Sequence, residues 1–126
     1  MSVVYDAGML IALERNDRHA WLKHNLRLRL KDRPVTTAPV VAQVLRSSRQ
    51  VSLRRALNGC VVLAFATEDA GPVGALLAAT RTHDVVDAHL VLVAAHDSST
   101  ILTSDISDLA VLSDHVGNVS LAGVGG

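Results

Sequence analysis

Ser2-Val3-Val4-Tyr5-Asp6-Ala7-Gly8-Met9-Leu10-Ile11-Ala12-Leu13 sets the pattern of the whole chain: a short apolar run, one carboxylate, then apolar residues at helical length. Val and Tyr suit a pleated, buried surface, so 2–5 reads as a strand. Asp6 ends it, and 7–15 reads as an apolar helix. Near the other end, Thr100-Ile101-Leu102-Thr103-Ser104-Asp105-Ile106-Ser107-Asp108-Leu109 repeats the order of strand, acidic turn and helix.

Working outward from 2–13, the same alternation fills the middle of the chain. Trp21, Leu22, Leu26 and Leu30 recur near the 3.6-residue period, which predicts a helix over 18–30. A strand follows at 35–37. Pro39, suited to a first helical turn, opens a helix over 40–46. Ser52 is the expected cap of a helix over 53–57, with Gly59 as its stop. A strand over 60–63 precedes a helix opened by Thr67 or Asp69 and running to residue 79. Asp84 caps a strongly apolar helix over 85–95. A strand at 100–103, a short helix from Ser107 toward Leu112, and a strand at 119–121 complete the reading. Strands alternating with helices over so short a chain imply a parallel, doubly wound α/β sheet flanked by helices, a three-layer α/β/α architecture.

With 126 residues, 49% of them hydrophobic, the chain has room for one well-filled domain and none for a second. The domain is expected over 1–122, with the Gly-rich end 123–126 (Gly123, Gly125, Gly126) as a frayed tail. No apolar stretch reaches membrane-spanning length, and the start lacks a basic, cleavable leader, so a cytoplasmic protein without membrane attachment is expected. Cys60, the one cysteine, lies in an apolar run and reads as a buried hydrophobe rather than a reactive thiol. Tyr5, Trp21 and Phe65 are the only aromatic residues, too few for a base-stacking platform.

The net charge of zero hides a segregation. Residues 15–55 hold eleven of the twelve Lys and Arg against only Asp17 and Asp32, a surplus of nine positive charges that the rest of the chain must offset. A basic segment beside an acidic one suits a polyanion, gripped by Arg and Lys while its phosphodiester meets a cation. Solvated helix faces are the plainer reading of the same charges.

Asp6, Asp87, Asp105 and Asp108 are the candidate cation ligands. In a parallel α/β sheet, ligands gather at the carboxyl ends of the strands, where Asp6 and Asp105 fall directly and where Asp87, in the first turn of its helix, can point. Carboxylates gathered there repel one another unless Mg2+ or Mn2+ neutralises them. Each has a structural rival: Asp84 with Asp87 can form an acidic capping box, and Asp105 with Asp108 a turn and first-turn pair. Asp6 is least easily explained that way, since a carboxylate after a buried strand carries a desolvation cost that a cation would offset. Zinc is poorly supported, because His83, Asp87 and His89 do not share a helix face and no HExxH spacing occurs. The chain also lacks a Gly-x-Ser-x-Gly elbow, and Gly71-Pro72-Val73-Gly74 is no phosphate loop. A phosphoacceptor receiver domain would need a late lysine, whereas Lys23 and Lys31 both come early.

Residues 3–13, Thr-Ala-Pro-Val-Val-Ala-Gln-Val-Leu-Arg at 37–46, Asp84-Val-Val-Asp87-Ala-His, and Leu102-Thr-Ser-Asp-Ile-Ser-Asp-Leu109 together resemble a PIN-domain ribonuclease of the VapC toxin type. The similarity runs in order along essentially the whole chain, and the Thr-Ser-Asp segment is its most specific piece. The resemblance implies a single PIN-like domain acting as a Mg2+- or Mn2+-dependent endoribonuclease, a hydrolase that is usually a homodimer and is neutralised by a VapB-like antitoxin. By matching motifs it implies Asp6, Asp87 and Asp105 as catalytic residues and cation ligands, Asp108 as an outer ligand, and Ser104 as the hydroxyl beside the third ligand. Many PIN domains carry Glu where this chain has Gln43, so one negative charge is missing; Gln43, Arg46 and Ser104 are the expected substrate contacts. The same departure supports an alternative, a catalytically weakened PIN-fold module that binds antitoxin or RNA without turnover.

Overall fold

Five parallel strands in the order β3-β2-β1-β4-β5 form the centre of the computed structural model, which describes residues 2–125. In chain order the elements are β1 (Val3–Tyr5), α1 (Ala7–Glu14), α2 (Arg18–Arg29), β2 (Val35–Thr37), α3 (Ala38–Val44), α4 (Val51–Asn58), β3 (Val61–Leu63), a 3-10 turn (Thr67–Asp69), α5 (Ala70–Thr80), α6 (Val85–His96), β4 (Thr100–Thr103), α7 (Ile106–Val116) and β5 (Ser120–Gly123). Right-handed crossovers place α1 to α4 on one face of the sheet and α5 to α7 on the other. Accordingly α1 packs on α2, α3 and α4, whereas α6 packs on α5 and α7. The three-layer α/β/α architecture expected from the alternation is the one observed.

Central position explains the composition of β1. Val3, Val4 and Tyr5 are buried on both faces, as parallel strands covered by two helix layers require. Tyr5 places its hydroxyl on His24 Nδ1 at 2.9 Å, and Thr36 Oγ1 donates to the Tyr5 carbonyl at 2.9 Å, so the buried polar atoms of Tyr5 and the Thr36 hydroxyl are satisfied. Burial raises the Tyr5 phenol well above its ordinary range and lowers the His24 imidazole. Cys60 is buried with its thiol pushed up to about 12, chiefly by desolvation, and donates to the Ala56 carbonyl.

Several expected boundaries move. The helix predicted over 53–57 begins at Val51 with Gln50 before it, and Ser52 turns to Asn16 Oδ1 (2.9 Å) instead of capping. The last helix extends to Val116, because apolar Leu109 and Leu112 keep it on the sheet beyond the first turns. Residue 123 does not begin a frayed tail: Gly123 closes β5 against Thr103, and Val124 is buried and donates its N–H to the Thr103 carbonyl. Lys23 Nζ donates to the carbonyls of Gly123 (2.9 Å) and Val124 (2.7 Å), tying this end to α2. Gly126 lies outside the described residues.

The basic segment is partly structural. Arg27 pairs with Asp32, Arg33 donates to the carbonyls of Gly59 and Cys60, and Arg55 lies over the Trp21 ring at 5.2 Å. Arg15, Arg46 and Arg49, by contrast, are exposed along the α1 and α3 side of the molecule.

Candidate functional site

The strand order reverses at β1: one connection leads toward β2 and β3, whereas β4 and β5 lie on the other side. The crevice beyond the carboxyl ends of β1 and β4 is therefore the topological switch point, where α/β sheets bind ligands. Three helices start at or near this edge, each behind an aspartate. Asp6 Oδ1 accepts the Met9 N–H at 2.9 Å and caps α1; Asp84 Oδ1 accepts the Asp87 N–H at 2.9 Å and caps α6; Asp105 Oδ1 accepts the Ser107 N–H at 3.1 Å and caps α7. Capping satisfies otherwise orphaned amides, and the positive ends of the helix dipoles favour negative charge.

Capping and ligand roles thus coexist, and electrostatics separates the four candidates. Asp87, half-buried in the first turn of α6, has its carboxyl raised to about 6, first by desolvation and then by the charges of Asp84, Asp6 and Asp108. Desolvation also raises Asp6, offset in part by hydrogen bonds from the Thr103 hydroxyl and the amides of Met9 and Gly8, with Asp108 pushing further upward. Asp108, exposed in the first turn of α7, therefore acts on both. Asp6, Asp87 and Asp108, with Asp84 beside them, share one electrostatic environment.

Asp105 sits differently. It is fully exposed, and its carboxyl is held below the usual range by the Ser107 hydroxyl, which donates to Oδ1 at 2.6 Å, with amide hydrogen bonds assisting. With Ser104 it lines a shallow depression facing Asp17 and Gly123, and the other partners of its carboxyl lie in its own turn, at Ser107 and Asp108. Asp105 thus stands on the solvent side of this edge, next to Asp108, which in turn acts on Asp6 and Asp87.

Thr103 and Gly8 are the residues whose part in the site the sequence did not reveal. Thr103 Oγ1 accepts the Asp105 N–H at 3.0 Å and donates to the Asp105 carbonyl at 3.2 Å, and the same hydroxyl lies close enough to Asp6 to lower its carboxyl, so it stands between the two acidic turns. A Cβ on Gly8 would stand 2.0 Å from Ser104 Oγ and 3.0 Å from the Ser104 N, so only glycine lets α1 approach the end of β4 this closely. The Asp-x-Gly spacing at 6–8 was the available signal. Gln43 and Arg46 share a groove between α1 and α3 with Glu14, Arg15 and Gln50, which brings two of the three expected substrate contacts together and leaves Ser104 apart.

Hard carboxylate oxygens at this edge suit Mg2+ or Mn2+. Among the described residues no three His, Cys, Asp or Glu side chains converge tightly enough to hold an ion by themselves. That spacing still fits Mg2+, which keeps several waters and needs only one or two carboxylates. Desolvation first and neighbouring carboxylates second raise the Asp6 and Asp87 carboxyls, a cost to their charged forms that a divalent ion would offset. His83 and His89, the residues of the zinc reading, are separated, with His89 buried against Asp69.

No protein-family model and no curated protein sequence matches the chain. Solved structures do match. A chain of VapBC2 from Rickettsia felis, crystallised with a DNA fragment from the promoter, superposes with a TM-score of 0.67 at 14% identity, over 98% of this chain and 98% of that one. PAE2754 from Pyrobaculum aerophilum superposes with a TM-score of 0.66 at 17% identity, over 98% and 90%. At such identities it is the fold alone that is shared, the three-layer α/β/α arrangement expected from the sequence. Among the described residues no helix is long and apolar enough to cross a membrane.

Proposed function

We propose that this protein is an endoribonuclease of the VapC toxin type that hydrolyses RNA phosphodiesters with Mg2+ or Mn2+ and is restrained by a VapB-like antitoxin, acting as a homodimer in the cytoplasm. The observation that carries this reading is the gathering of Asp6, Asp84 and Asp108 around half-buried Asp87 at the switch point of the sheet, where burial first and these charges second raise the Asp87 carboxyl. The match to a VapBC2 chain over nearly its full length supports the toxin and antitoxin part of it.

Asp6 and Asp87 would hold the cation, with Asp108 or Asp105 as the outer carboxylate. The ion supplies Lewis acidity and charge neutralisation at the scissile phosphate. Without it, Asp87 retains its proton up to about pH 6; once that proton is lost, its carboxylate can orient the attacking water and accept a proton from it. Asp6, braced by Met9 N–H and Thr103, keeps a fixed position throughout. Arg46 and Gln43, in the neighbouring groove, would hold the RNA backbone.

Asp6→Asn and Asp87→Asn should each lower Mg2+- or Mn2+-dependent RNA cleavage by about a hundredfold or more while leaving the circular dichroism spectrum unchanged. Unchanged cleavage by Asp6→Asn would refute the reading. One observation favours a second reading: residue 43 is an uncharged amide, so the site has less negative charge than a Glu there would provide. A weakened binding module would hold RNA or antitoxin yet show no metal-dependent cleavage even in the unsubstituted protein.

A further inference from the structure

Glu14 ends α1, about 12 Å along the helix from Asp6, and lines an open groove of about 650 Å3 together with Arg15, Gln43, Arg46 and Gln50. That volume lies within the range of small-molecule sites. Gln50 holds the carboxylate in place. Its Nε2 donates to Glu14 Oε1 at 2.7 Å and to the Val44 carbonyl at 3.0 Å, and its Oε1 accepts the N–H groups of Arg46 and Ser47. Both donors and both lone pairs of this amide are thereby committed to structure, and none is left for a ligand.

Glu14 itself is only half committed. Among the described residues its Oε2 accepts no hydrogen bond and the carboxylate makes no ion pair, although Arg15 and Arg46 line the same groove. Two arginines alone would suit a phosphate, which a fixed carboxylate repels. A braced acceptor beside guanidinium donors matches instead the edge of an unstacked RNA base, where donors and acceptors lie side by side. Guanine is the base that fits: N1–H and N2–H2 are adjacent donors for one carboxylate, and O6 with N7 accepts an arginine fork. Adenine, cytosine and uracil each offer a single donor group with a lone pair beside it, which the carboxylate repels.

We propose that this groove selects a guanine of the bound RNA, with Glu14 accepting from N1–H and N2–H2 and Arg15 donating to O6. Arg46 and Gln43 remain on the backbone, and Gln50 is the positioning residue that holds the carboxylate. The inference rests on the RNA reading above and adds base selection at a nucleotide away from the scissile phosphate.

Fluorescence anisotropy of short labelled oligoadenylates carrying one central guanosine, inosine or adenosine tests this, read on the full chain in EDTA so that no strand is cut. The guanosine strand should bind about tenfold more tightly than the adenosine strand, with the inosine strand, which lacks the N2 amine, between them. Glu14→Gln should bind the guanosine and adenosine strands equally, while its amide oxygen still accepts from Gln50 Nε2. Melting curves confirm that the variant folds; if it does not, Arg15→Met, which removes an exposed side chain, decides by losing part of the preference. Equal affinity of the unsubstituted chain for the guanosine and adenosine strands, or a preference undiminished in the deciding variant, overturns the guanine assignment and leaves RNA cleavage standing. No binding of any strand overturns both.

Discussion

Asp87 and Asp105 occupy neighbouring helix starts, yet one carboxyl is raised to about 6 and the other is held low. Desolvation and three nearby carboxylates act on Asp87, whereas Asp105 lies in solvent with the Ser107 hydroxyl on its oxygen. The raised group gives a pH dependence with a definite sign. Because the folded state binds the Asp87 proton more tightly than the unfolded chain, this group's stabilisation is complete below about pH 4 and is lost as pH rises through about 6. After solvent screening of a half-exposed group, the loss is roughly 1–2 kcal/mol. Chemical denaturation of the metal-free protein at pH 4.5 and 7 should therefore show Asp87→Asn gaining on the unsubstituted protein by that amount at the higher pH. A pH-independent difference between the two would mean that Asp87 is not the strained group. Residue types alone showed that Asp6 was costly where it stands. They did not show that Asp108 acts on Asp6 while the Asp105 oxygen is held by Ser107, because which oxygen a first-turn carboxylate presents depends on the cap geometry of α7.

At the scale of elements, the connection from α3 to α4 carries exposed Arg46 and Arg49 while being held in shape by one side chain. Gln50 Oε1 accepts the N–H groups of Arg46 (2.6 Å) and Ser47 (3.0 Å), and its Nε2 donates to Glu14 Oε1 (2.7 Å) and the Val44 carbonyl (3.0 Å). A loop ordered in this way presents its arginines at low entropic cost. Replacing Arg46 and Arg49 together by Glu should weaken RNA binding and reduce the slope of log affinity against log salt by about one for each phosphate no longer neutralised. An unchanged slope in filter binding from low to moderate salt would return both residues to the role of solvated surface. The start of α6 was legible from its capping Asp84, whereas Asp6 and Asp17 cap α1 and α2 without having been read as caps. Nor was the start of α4 legible, since Gln50 makes no side-chain cap to it and is set by its hydrogen bonds to residues 14 and 44–47.

For the whole molecule, binding a cation to the folded state alone must raise stability by linkage. At a concentration one hundred times the dissociation constant, the gain is about 2.7 kcal/mol, which for a domain of this size moves the melting temperature by on the order of 10 °C. Mn2+ or Mg2+ at pH 7 should produce such a shift in the unsubstituted protein and little in Asp6→Asn/Asp87→Asn. Equal shifts in both proteins would place the cation elsewhere. What the sequence determined by itself was the alternation of strands and helices, the parallel sheet and the membership of Asp6 and Asp87 in one edge, because apolar periodicity and cap residues are local signals that survive without neighbours. Only the tertiary structure decided that the sheet continues through Gly123 to a buried Val124, that Gly8 exists to admit Ser104, and that His89 is buried beside Asp69. Those facts depend on pairings between residues 20 to 100 positions apart, and the packing of two helix layers on one sheet, rather than any local preference, brings such residues together.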